Sequence, residues 1–303
     1  MRGNDCFEID TRLVIKASQR SSHSYRQFSE VADTVADRLL ERLPLLGMKP
    51  ARILDLGTGD GRNLATLKKL YPSALIVGAD ICQSSLLINR QNQSLFSKIA
   101  GKSPVLVCLD AMRQQPFAAE SFDLIVSNLL LPWVHPSEVF AAELNRLLAT
   151  DGAFFLSSVG PDTLIELRRA WEKIDTAEHI NAFLDMHDLG DVLDRAGITD
   201  TVMDTERLQV SFTSVHKLLE DLAGTGCTNV LTGRRKGLTS ASVRDQLAGH
   251  YVSAAVMEDD KESIYATLEV VYAHGWKGKP RLPHGQQIVS LDDLRQNLTQ
   301  ENS

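Results

Sequence analysis

The hydrophobic residues of this chain first follow the period of a helix. Between residues 28 and 46 they recur every three or four positions, while arginine and glutamate side chains occupy the opposite face. Pro44 and Gly47 are residue types that end helices, and they close this pattern. We therefore expect residues 1–47 to form an N-terminal helical segment.

From residue 52 onward, short apolar runs bounded by turn residues alternate with helical patterns. The apolar runs predict strands at Arg52–Leu56, Leu75–Ala79, Val105–Leu109, Phe122–Val126 and Ala153–Val159. Strands that alternate with helices are typical of a parallel sheet. The pattern therefore predicts an α/β fold with a doubly wound, mostly parallel sheet and helices on both faces.

Beyond residue 160 the pattern becomes mainly helical. It predicts helices at about 161–173, 187–196 and 214–223, and strands at Leu208–Phe212 and Leu268–Trp276. We expect these elements to extend the sheet and to cap its ligand-binding edge, so that residues 48–277 form one domain with cap elements at about 160–260. The polar residues 278–303 are expected to form a C-terminal tail with at most one short helix, near 291–298.

Composition and charge narrow the class of protein. With 303 residues, of which 43% are hydrophobic, the chain can bury a substantial core, which excludes a disordered or fibrous protein. It carries 32 basic and 39 acidic residues, and the net charge of -7 argues against nucleic acid as a partner. An acidic partner would have to dock on a local basic patch.

The cysteines and the N-terminal sequence favour a cytoplasmic protein. Cys6, Cys82, Cys108 and Cys227 are far apart and show no CxxC spacing, which argues against a disulfide framework or a zinc site. The first 24 residues lack the apolar stretch of a signal peptide, and no segment approaches the roughly 18 apolar residues of a membrane-spanning helix. We expect a soluble protein without membrane contact.

A glycine loop follows the first predicted strand. The sequence ILDLGTGDG at residues 53–61 is a buried strand that runs into a turn rich in glycine, which lets the backbone approach a ligand closely. Arg62 stands where a dinucleotide-binding fingerprint has its third glycine. Asp60 would repel a pyrophosphate at the start of the following helix. The loop therefore favours a cationic nucleoside without phosphates.

The spacing of Asp55, Gly57, Gly59 and Gly61 resembles the D-x-G-x-G-x-G motif of the class I methyltransferases. This resemblance implies that the cofactor is S-adenosyl-L-methionine (SAM), a cationic sulfonium, and that these residues bind it. Asp55 would lie near its methionine amine. The resemblance also implies a Rossmann-like sheet of seven strands with helical insertions after the fifth.

Polar residues also end the next three predicted strands. In this superfamily, Asp80 would bind the ribose hydroxyls through its two carboxylate oxygens. Asp110 would meet the adenine amino group, with Ala111 beside it, and Asn128, which follows Ser127, would lie below the sulfonium. Strand ends of a parallel sheet meet at one crevice, so we expect these residues to converge. Capping of the following helix is the alternative role for any single aspartate.

Two places in the chain contain residue types that bind metals, His135 and the run Asp185–Asp188. No further ligand stands at a fixed spacing from either, and the chain has no HExxH motif. We interpret these residues as helix-capping groups and expect no metal site.

Further stretches resemble one family of methyltransferases. The chain is similar to the malonyl-ACP O-methyltransferases of biotin synthesis over about residues 12–277, where ACP is acyl carrier protein. The matching stretches outside the glycine loop are Ser127–Trp133, Gly160–Trp171, Asp185–Asp191, Arg195–Gly197, Val202–Asp204, Asn229–Thr239 and Glu269–Trp276. The resemblance implies an enzyme that methylates the free carboxylate of a malonyl thioester, carried on ACP or on coenzyme A.

The N-terminal segment departs from that family's pattern of Phe, Arg, two Ala, then Tyr-Asp and, further on, Leu-Gln. At the matching positions this chain has Ser18, Arg20, Ser21, Ser22, Tyr25, Arg26, Val31 and Ala32. In this family the segment, here residues 1–47, is expected to form a lid that closes over the cofactor.

The implied reaction needs no general base, because a malonyl carboxylate with a pKa of about 4 is ionised at neutral pH. Catalysis would come from orientation and from a pocket that removes water from the attacking oxygen. Tyr25, Trp133, Trp171 and Arg168 are candidates for that pocket, with Arg168 holding the carboxylate. A solvated helix arginine and core packing of the tryptophans are the alternatives.

Two other functions remain open from the sequence. Mitochondrial proteins that assist assembly of respiratory complex I and modify an arginine look similar over the same region, although the stretch from Gly233 to Thr239 is closer to the biotin family. A non-catalytic binding protein with the same fold is the other alternative. For the malonyl enzyme, the basic run Arg234, Arg235 and Lys236 is the predicted docking site for acidic ACP, and an ordinary solvated loop is its alternative.

Overall fold

The computed structural model describes residues 8–93, 103–237, 239–251, 256–258 and 261–278. The helix predicted near 291–298, and all of the predicted tail except residue 278, lie outside these ranges. Within them, every helix is too short or too polar to cross a lipid bilayer.

One sheet forms the centre of the described fold. Its strands are β1 Arg52–Leu56, β2 Leu75–Asp80, β3 Val105–Cys108, β4 Phe122–Asn128, β5 Leu148–Val159, β6 Ile198–Phe212, β7 Val256–Glu258 and β8 Lys261–Lys277. Their order is β3-β2-β1-β4-β5-β8-β6, and β7 pairs with β8 outside this path. The first five strands are parallel, whereas β8 runs antiparallel to both β5 and β6. The predicted doubly wound, mostly parallel sheet is confirmed.

The helices cover the sheet and extend beyond one of its edges. They are α1 Thr11–Ser21, α2 Glu30–Leu40, α3 Arg62–Leu70, α4 Gln83–Asn92, α5 Ser137–Leu147, α6 Ile165–Trp171, α7 Met186–Arg195, α8 Val215–Thr225 and α9 Ala241–His250. Short 3₁₀ turns lie at Tyr25–Gln27, Leu43–Leu46 and Leu131–Trp133. The helical pattern predicted over 28–46 is therefore two elements, because Pro44 favours a new tight turn and Gly47 ends it with a φ of 63°.

Both faces of the sheet are buried. Leu124 and Ile125 are neighbours on β4, are each 1% exposed and belong to hydrophobic clusters on opposite faces. In a sheet covered on both faces, a ligand has access at the carboxyl ends of the parallel strands. A third cluster, which includes Leu167 of α6, Leu218 of α8 and Leu247 of α9, packs these three helices together as a cap.

Helix α1 and strand β6 are among the elements that differ from the sequence-based prediction. Helix α1, which the apolar pattern did not predict, begins where the Asp10 carboxylate accepts a hydrogen bond from the Arg12 amide at 3.0 Å. Strand β6 is longer than the predicted Leu208–Phe212 and starts at Ile198. Its additional residues alternate between more and less exposed positions, so polar side chains interrupt the apolar run.

Candidate functional site

A cavity of about 730 Å³ lies at the carboxyl edge of the sheet. Its lining includes Gly57, Asp80 and Asn128 from the strand ends, and Trp171 and other residues from the cap. A smaller pocket adjoins it and shares Gly57, Asp80 and Trp133 as lining residues. The volume of the cavity is in the range of small-molecule and cofactor sites.

The glycine loop has the conformation that its sequence predicts. Gly57, Gly59 and Gly61 have φ values of 81°, 53° and 86°, which side-chain-bearing residues rarely adopt. A Cβ atom at Gly61 would also overlap the amide of Asn89. Gly57 and Gly59 line the large cavity, whereas Gly61 caps the start of α3. The loop therefore forms a cradle of backbone atoms. Residues with side chains at these three glycine positions would strain the backbone.

Asp55 lies behind this cradle and is fully buried. Its Oδ2 accepts a hydrogen bond from the Thr58 hydroxyl at 2.6 Å. Burial raises the pKa of Asp55 to about 6, although hydrogen bonds from Thr58 and Asn63 oppose this shift. The structure thus gives Asp55 contact with the loop and none with the cavity, so it would influence a cofactor amine through the loop.

Asp80 ends β2 and lines both the cavity and the adjoining pocket. One of its carboxylate oxygens accepts a hydrogen bond from the Gly59 amide and the other accepts one from the Cys82 amide, each at 2.8 Å. Burial raises the pKa of Asp80, and these amides oppose the rise. Because a carboxylate oxygen has two lone pairs, both oxygens keep acceptor capacity for a pair of hydroxyls.

Asp110 and Ala111 line the smaller pocket beside Asp80. Oδ1 of Asp110 accepts a hydrogen bond from the Met112 amide at 2.9 Å, which fixes the carboxylate after β3. Leu130 and Val134 add apolar surface to this pocket. An acidic group beside apolar surface suits a flat base that carries an amino group.

Asn128, at the end of β4, is held between the sheet and the N-terminal helices. Its Oδ1 accepts a hydrogen bond from the Ser157 hydroxyl at 2.7 Å, and its Nδ2 donates one to the Ala32 carbonyl at 3.3 Å. Asn128 lines the large cavity. We call Gly57, Gly59, Asp80 and Asn128 the sheet wall of the cavity.

The N-terminal turn meets this wall through an ion pair. Tyr25 lines the cavity, and the guanidinium of the adjacent Arg26 pairs with Asp60 of the glycine loop. The Asp60 side chain is only 8% exposed, and its burial raises its pKa against the opposing effect of Arg26. Burial also raises the pKa of Tyr25 above its ordinary value, so the phenol stays protonated at neutral pH. Arg26, where the similar family has aspartate, therefore compensates a buried charge of the loop.

Of the other three residues predicted for the acceptor pocket, two line the cavity and one does not. Trp133 and Trp171 both line the cavity. The guanidinium of Arg168 instead donates a hydrogen bond to the Asn181 carbonyl at 3.3 Å, and Arg168 is not part of the cavity lining. Burial lowers the pKa of Arg168. A direct contact between Arg168 and an acceptor carboxylate is thus not supported by its position.

Cationic groups that do line the cavity come from the cap. These groups are Arg234 and Arg235. The ring of His179, which stacks on Trp171, also lines the cavity. We call Trp171, His179, Arg234 and Arg235 the cap wall. Glu178 lines the cavity beside them. His179 was not singled out from the sequence, because it lies between α6 and α7, outside any periodic pattern or motif.

Comparisons with known proteins agree with this architecture. A family model described as a methyltransferase domain matches residues 25–201. The chain is 35% identical to the malonyl-[acyl-carrier protein] O-methyltransferase of Laribacter hongkongensis, covering 95% of this chain and 97% of that protein. It is 37% identical to the enzyme of the same name from Gallionella capsiferriformans, covering 91% and 94% of the two chains. The crystal structure of a putative methyltransferase from Bacillus halodurans shares the fold, with a TM-score of 0.55, 16% identity and coverage of 79% of this chain and 99% of that chain.

Proposed function

The chain belongs to the malonyl-[acyl-carrier protein] O-methyltransferase family of SAM-dependent enzymes, and from that premise we propose that it methylates the free carboxylate of a malonyl thioester in early biotin synthesis. The observation that carries this proposal is one cavity with two unlike walls. The sheet wall presents Asp80 next to a glycine cradle, and the cap wall presents Arg234 and Arg235. A cationic cofactor and an anionic acceptor therefore each find complementary charge in the same space.

The residues of the sheet wall fit SAM. Gly57 and Gly59 offer backbone that a ligand can approach, and Asp80 has two oxygens with free lone pairs for the ribose hydroxyls. Asp110 and Ala111 would contact the adenine in the smaller pocket. When bound, the cofactor supplies an electrophilic methyl group on a cationic sulfur.

The protein's own part in the reaction is to orient and to exclude water. The malonyl carboxylate is already ionised at neutral pH, so no residue has to remove a proton. Tyr25, Trp133 and Trp171 supply aromatic surface to the cavity. A carboxylate surrounded by such surface loses hydration, which lowers the barrier to attack on the methyl group. Methylation removes the negative charge and so weakens attraction of the product to the cap wall.

The reaction is tested by mass spectrometry of malonyl-ACP after incubation with the protein and SAM. The proposed activity adds one methylene unit to the malonyl group. Unchanged malonyl mass, together with a modified arginine on a test protein, would instead support the arginine-modifying alternative. The curated relatives described above share the malonyl name, which favours the carboxylate as acceptor. Rescue of a strain that lacks its own enzyme for this step tests the place in biotin synthesis.

We further propose that ACP docks on the basic run Arg234, Arg235 and Lys236. The enzyme has a net charge of -7 and ACP is acidic, so long-range repulsion has to be overcome by a local positive surface. Arg234 and Arg235 line the cavity while Lys236 is exposed, which puts this run next to the space that the acyl group would enter.

Reversal of Arg234 and Arg235 to glutamate should raise the KM for malonyl-ACP more than the KM for malonyl-CoA. The wild-type preference for the carrier should also fade as salt rises, because screening weakens attraction beyond about 8 Å at physiological ionic strength. Steady-state kinetics at two salt concentrations measures both effects. Equal changes for the two substrates would move the docking surface elsewhere, with Lys16, Arg20 and Arg26 as the next candidates.

A further inference from the structure

The glycine loop is held from two sides. On the side of the sheet, the Gly59 amide donates a hydrogen bond to the Asp80 carboxylate at 2.8 Å. On the other side, the carboxylate of Asp60 forms an ion pair with the guanidinium of Arg26. Gly59 and Asp60 both line the large cavity. The backbone that a cofactor would approach is therefore fixed between a strand end and the N-terminal turn.

Asp60 is a buried acid whose charge depends on Arg26. Its side chain is only 8% exposed, and among the described residues Arg26 is its one ion-pair partner. Arg26 also lies near Asp33 of α2, with Nη1 3.6 Å from Oδ2. A buried carboxylate without a partner has a large free-energy cost, which the chain avoids by moving the group into water. Without Arg26, the loop would therefore be drawn away from its present conformation.

Arg62 follows the loop and has the opposite charge to Asp60, but its guanidinium is engaged elsewhere. Its Nε lies 3.1 Å from Oδ1 of Asp33, and its Nη2 donates a hydrogen bond to Oδ2 of Asp37 at 2.7 Å. Both of these aspartates belong to α2. Removal of Arg26 would leave three carboxylates facing one guanidinium. Arg62 therefore does not replace Arg26 as the partner of the loop.

We propose that Arg26 is a positioning residue for SAM, which holds Asp60 and so keeps the backbone at Gly59 in its binding conformation. The same ion pair holds the 3₁₀ turn that carries the cavity-lining Tyr25. Arg26 itself is not part of the cavity lining, so it would act on the cofactor through these neighbours. When only a fraction of the free protein has the binding conformation, the apparent affinity falls by that fraction. This inference needs the cofactor and not the malonyl acceptor, and so goes beyond the proposed reaction.

The test is a double-mutant cycle, with calorimetry of SAM and of S-adenosylhomocysteine, the demethylated cofactor. Arg26→Ala should lower the affinity for both ligands by about tenfold, because it leaves a largely buried charge unpaired. In the Asp60→Asn background, the same replacement should change either affinity by less than about twofold, because the charge that displaces the loop is gone. Arg26→Lys should restore most of the affinity, since an ammonium group also compensates a carboxylate.

The two ligands separate positioning from a direct effect of charge, because only SAM carries the positive sulfonium. A displaced loop weakens the binding of both ligands by the same factor. If Arg26 acted directly through its charge, its removal would raise the affinity for SAM relative to that for S-adenosylhomocysteine, because like charges repel. We therefore expect Arg26→Ala to change both affinities by the same factor.

The matched control is Arg38→Ala. Arg38 lies on α2 of the same N-terminal segment, and it forms an ion pair with Glu206 of β6. Neither residue is part of the cavity lining. Any loss of stability in this variant should leave the affinities for both ligands unchanged. Cooperative thermal unfolding checks that every variant is folded.

Unchanged affinities in Arg26→Ala would overturn the proposal. Equal losses with and without Asp60→Asn would overturn it as well, because Arg26 would then act independently of Asp60. A loss confined to S-adenosylhomocysteine would show a direct effect of charge instead. A wild type that binds neither ligand would contradict the cofactor site and this role together, whereas a wild type that binds both but leaves malonyl-CoA unmethylated would refute only the proposed reaction.

Discussion

The two walls of the cavity are built in different ways. In the sheet wall, each functional side chain stands at the end of a strand and bonds to the backbone. Asp80 accepts from the amides of Gly59 and Cys82, and Asn128 donates to the Ala32 carbonyl. In the cap wall, side chains from separate loops fix one another, as Asp175 fixes His179 and Arg235. The sheet wall is thus set by the fold itself, whereas the cap wall depends on a few side-chain contacts. We expect mutations in the sheet wall to lower mainly the affinity for the cofactor, and mutations in the cap wall to lower mainly the affinity for the acceptor.

The largest effect on the sheet wall is expected for Asp80→Ala. The change would remove the two charge-assisted hydrogen bonds that we propose between Asp80 and the ribose, together worth about 2–4 kcal/mol. It would also free the amides of Gly59 and Cys82. Calorimetry with SAM should show a loss of affinity of that size.

The control for this variant is Asp123→Ala, at the opposite end of the parallel strands. The Asp123 carboxylate also accepts hydrogen bonds from backbone amides, those of Ala51 and Arg52, both at 2.9 Å. Its loss should lower stability without lowering SAM affinity in the folded protein. An Asp80→Ala protein that binds SAM as tightly as the wild type would remove this residue from the cofactor site.

The buried Asp55, which lies behind the sheet wall, should make the unfolding free energy of the protein depend on pH. Its pKa is about 6 in the folded protein against an ordinary value of 3.8, so folding strengthens proton binding. The contribution of the Asp55 carboxyl to the unfolding free energy is therefore complete below about pH 4 and is lost as the pH rises through about 6. Relative to Asp55→Asn, the wild type should lose up to about 3 kcal/mol of unfolding free energy between pH 4 and 7. Urea unfolding at several pH values measures this free energy. Parallel plots of unfolding free energy against pH for the wild type and Asp55→Asn would contradict the expectation.

In the cap wall, Asn181→Ala should weaken the acceptor site selectively. The Asn181 side chain joins two cap segments, because Oδ1 accepts from the Val230 amide at 2.9 Å and Nδ2 donates to the Thr228 carbonyl at 3.2 Å. Removing it leaves the amide of the buried Val230 unpaired, at a cost of about 2 kcal/mol. We expect a higher KM for malonyl-CoA and unchanged SAM affinity.

Asn145→Ala is a suitable comparison for that variant. Asn145 lies on α5, outside the cavity lining, and its Oδ1 has no hydrogen-bond partner in the described part of the chain. Its replacement should change neither KM. If Asn181→Ala lowers the affinities for both substrates to the same extent, the two walls do not act separately.

The difference between the sheet wall and the cap wall also explains how much of the site could be predicted from the sequence. Asp80, Asp110 and Asn128 each follow an apolar run, and parallel strand ends meet at one edge, so local patterns suffice to bring them together. The contact of Arg235 with Asp175 joins residues 60 positions apart. No local pattern encodes such a contact. The sequence suggested Arg168 as the group that holds the carboxylate, and Arg168 does not line the cavity.

Asp55, which lies behind the sheet wall, shows a limit of motif reasoning. The motif places an acid two residues before Gly57, and the structure has the acid there, but buried and bonded to Thr58. Spacing along a strand predicts the loop conformation, whereas the burial of the Asp55 side chain depends on how the rest of the fold packs around the strand end. The predicted role of Asp55 at the cofactor amine stays a prediction.

We propose that one cavity binds two substrates through two separate walls. The most direct measurement is the steady-state KM for SAM and for malonyl-CoA in the wild type, in Asp80→Ala and in Arg235→Gln. We expect a crossed result, in which Asp80→Ala raises mainly the KM for SAM and Arg235→Gln mainly the KM for malonyl-CoA, each by about tenfold or more. Variants that each raise both KM values by the same factor would contradict it.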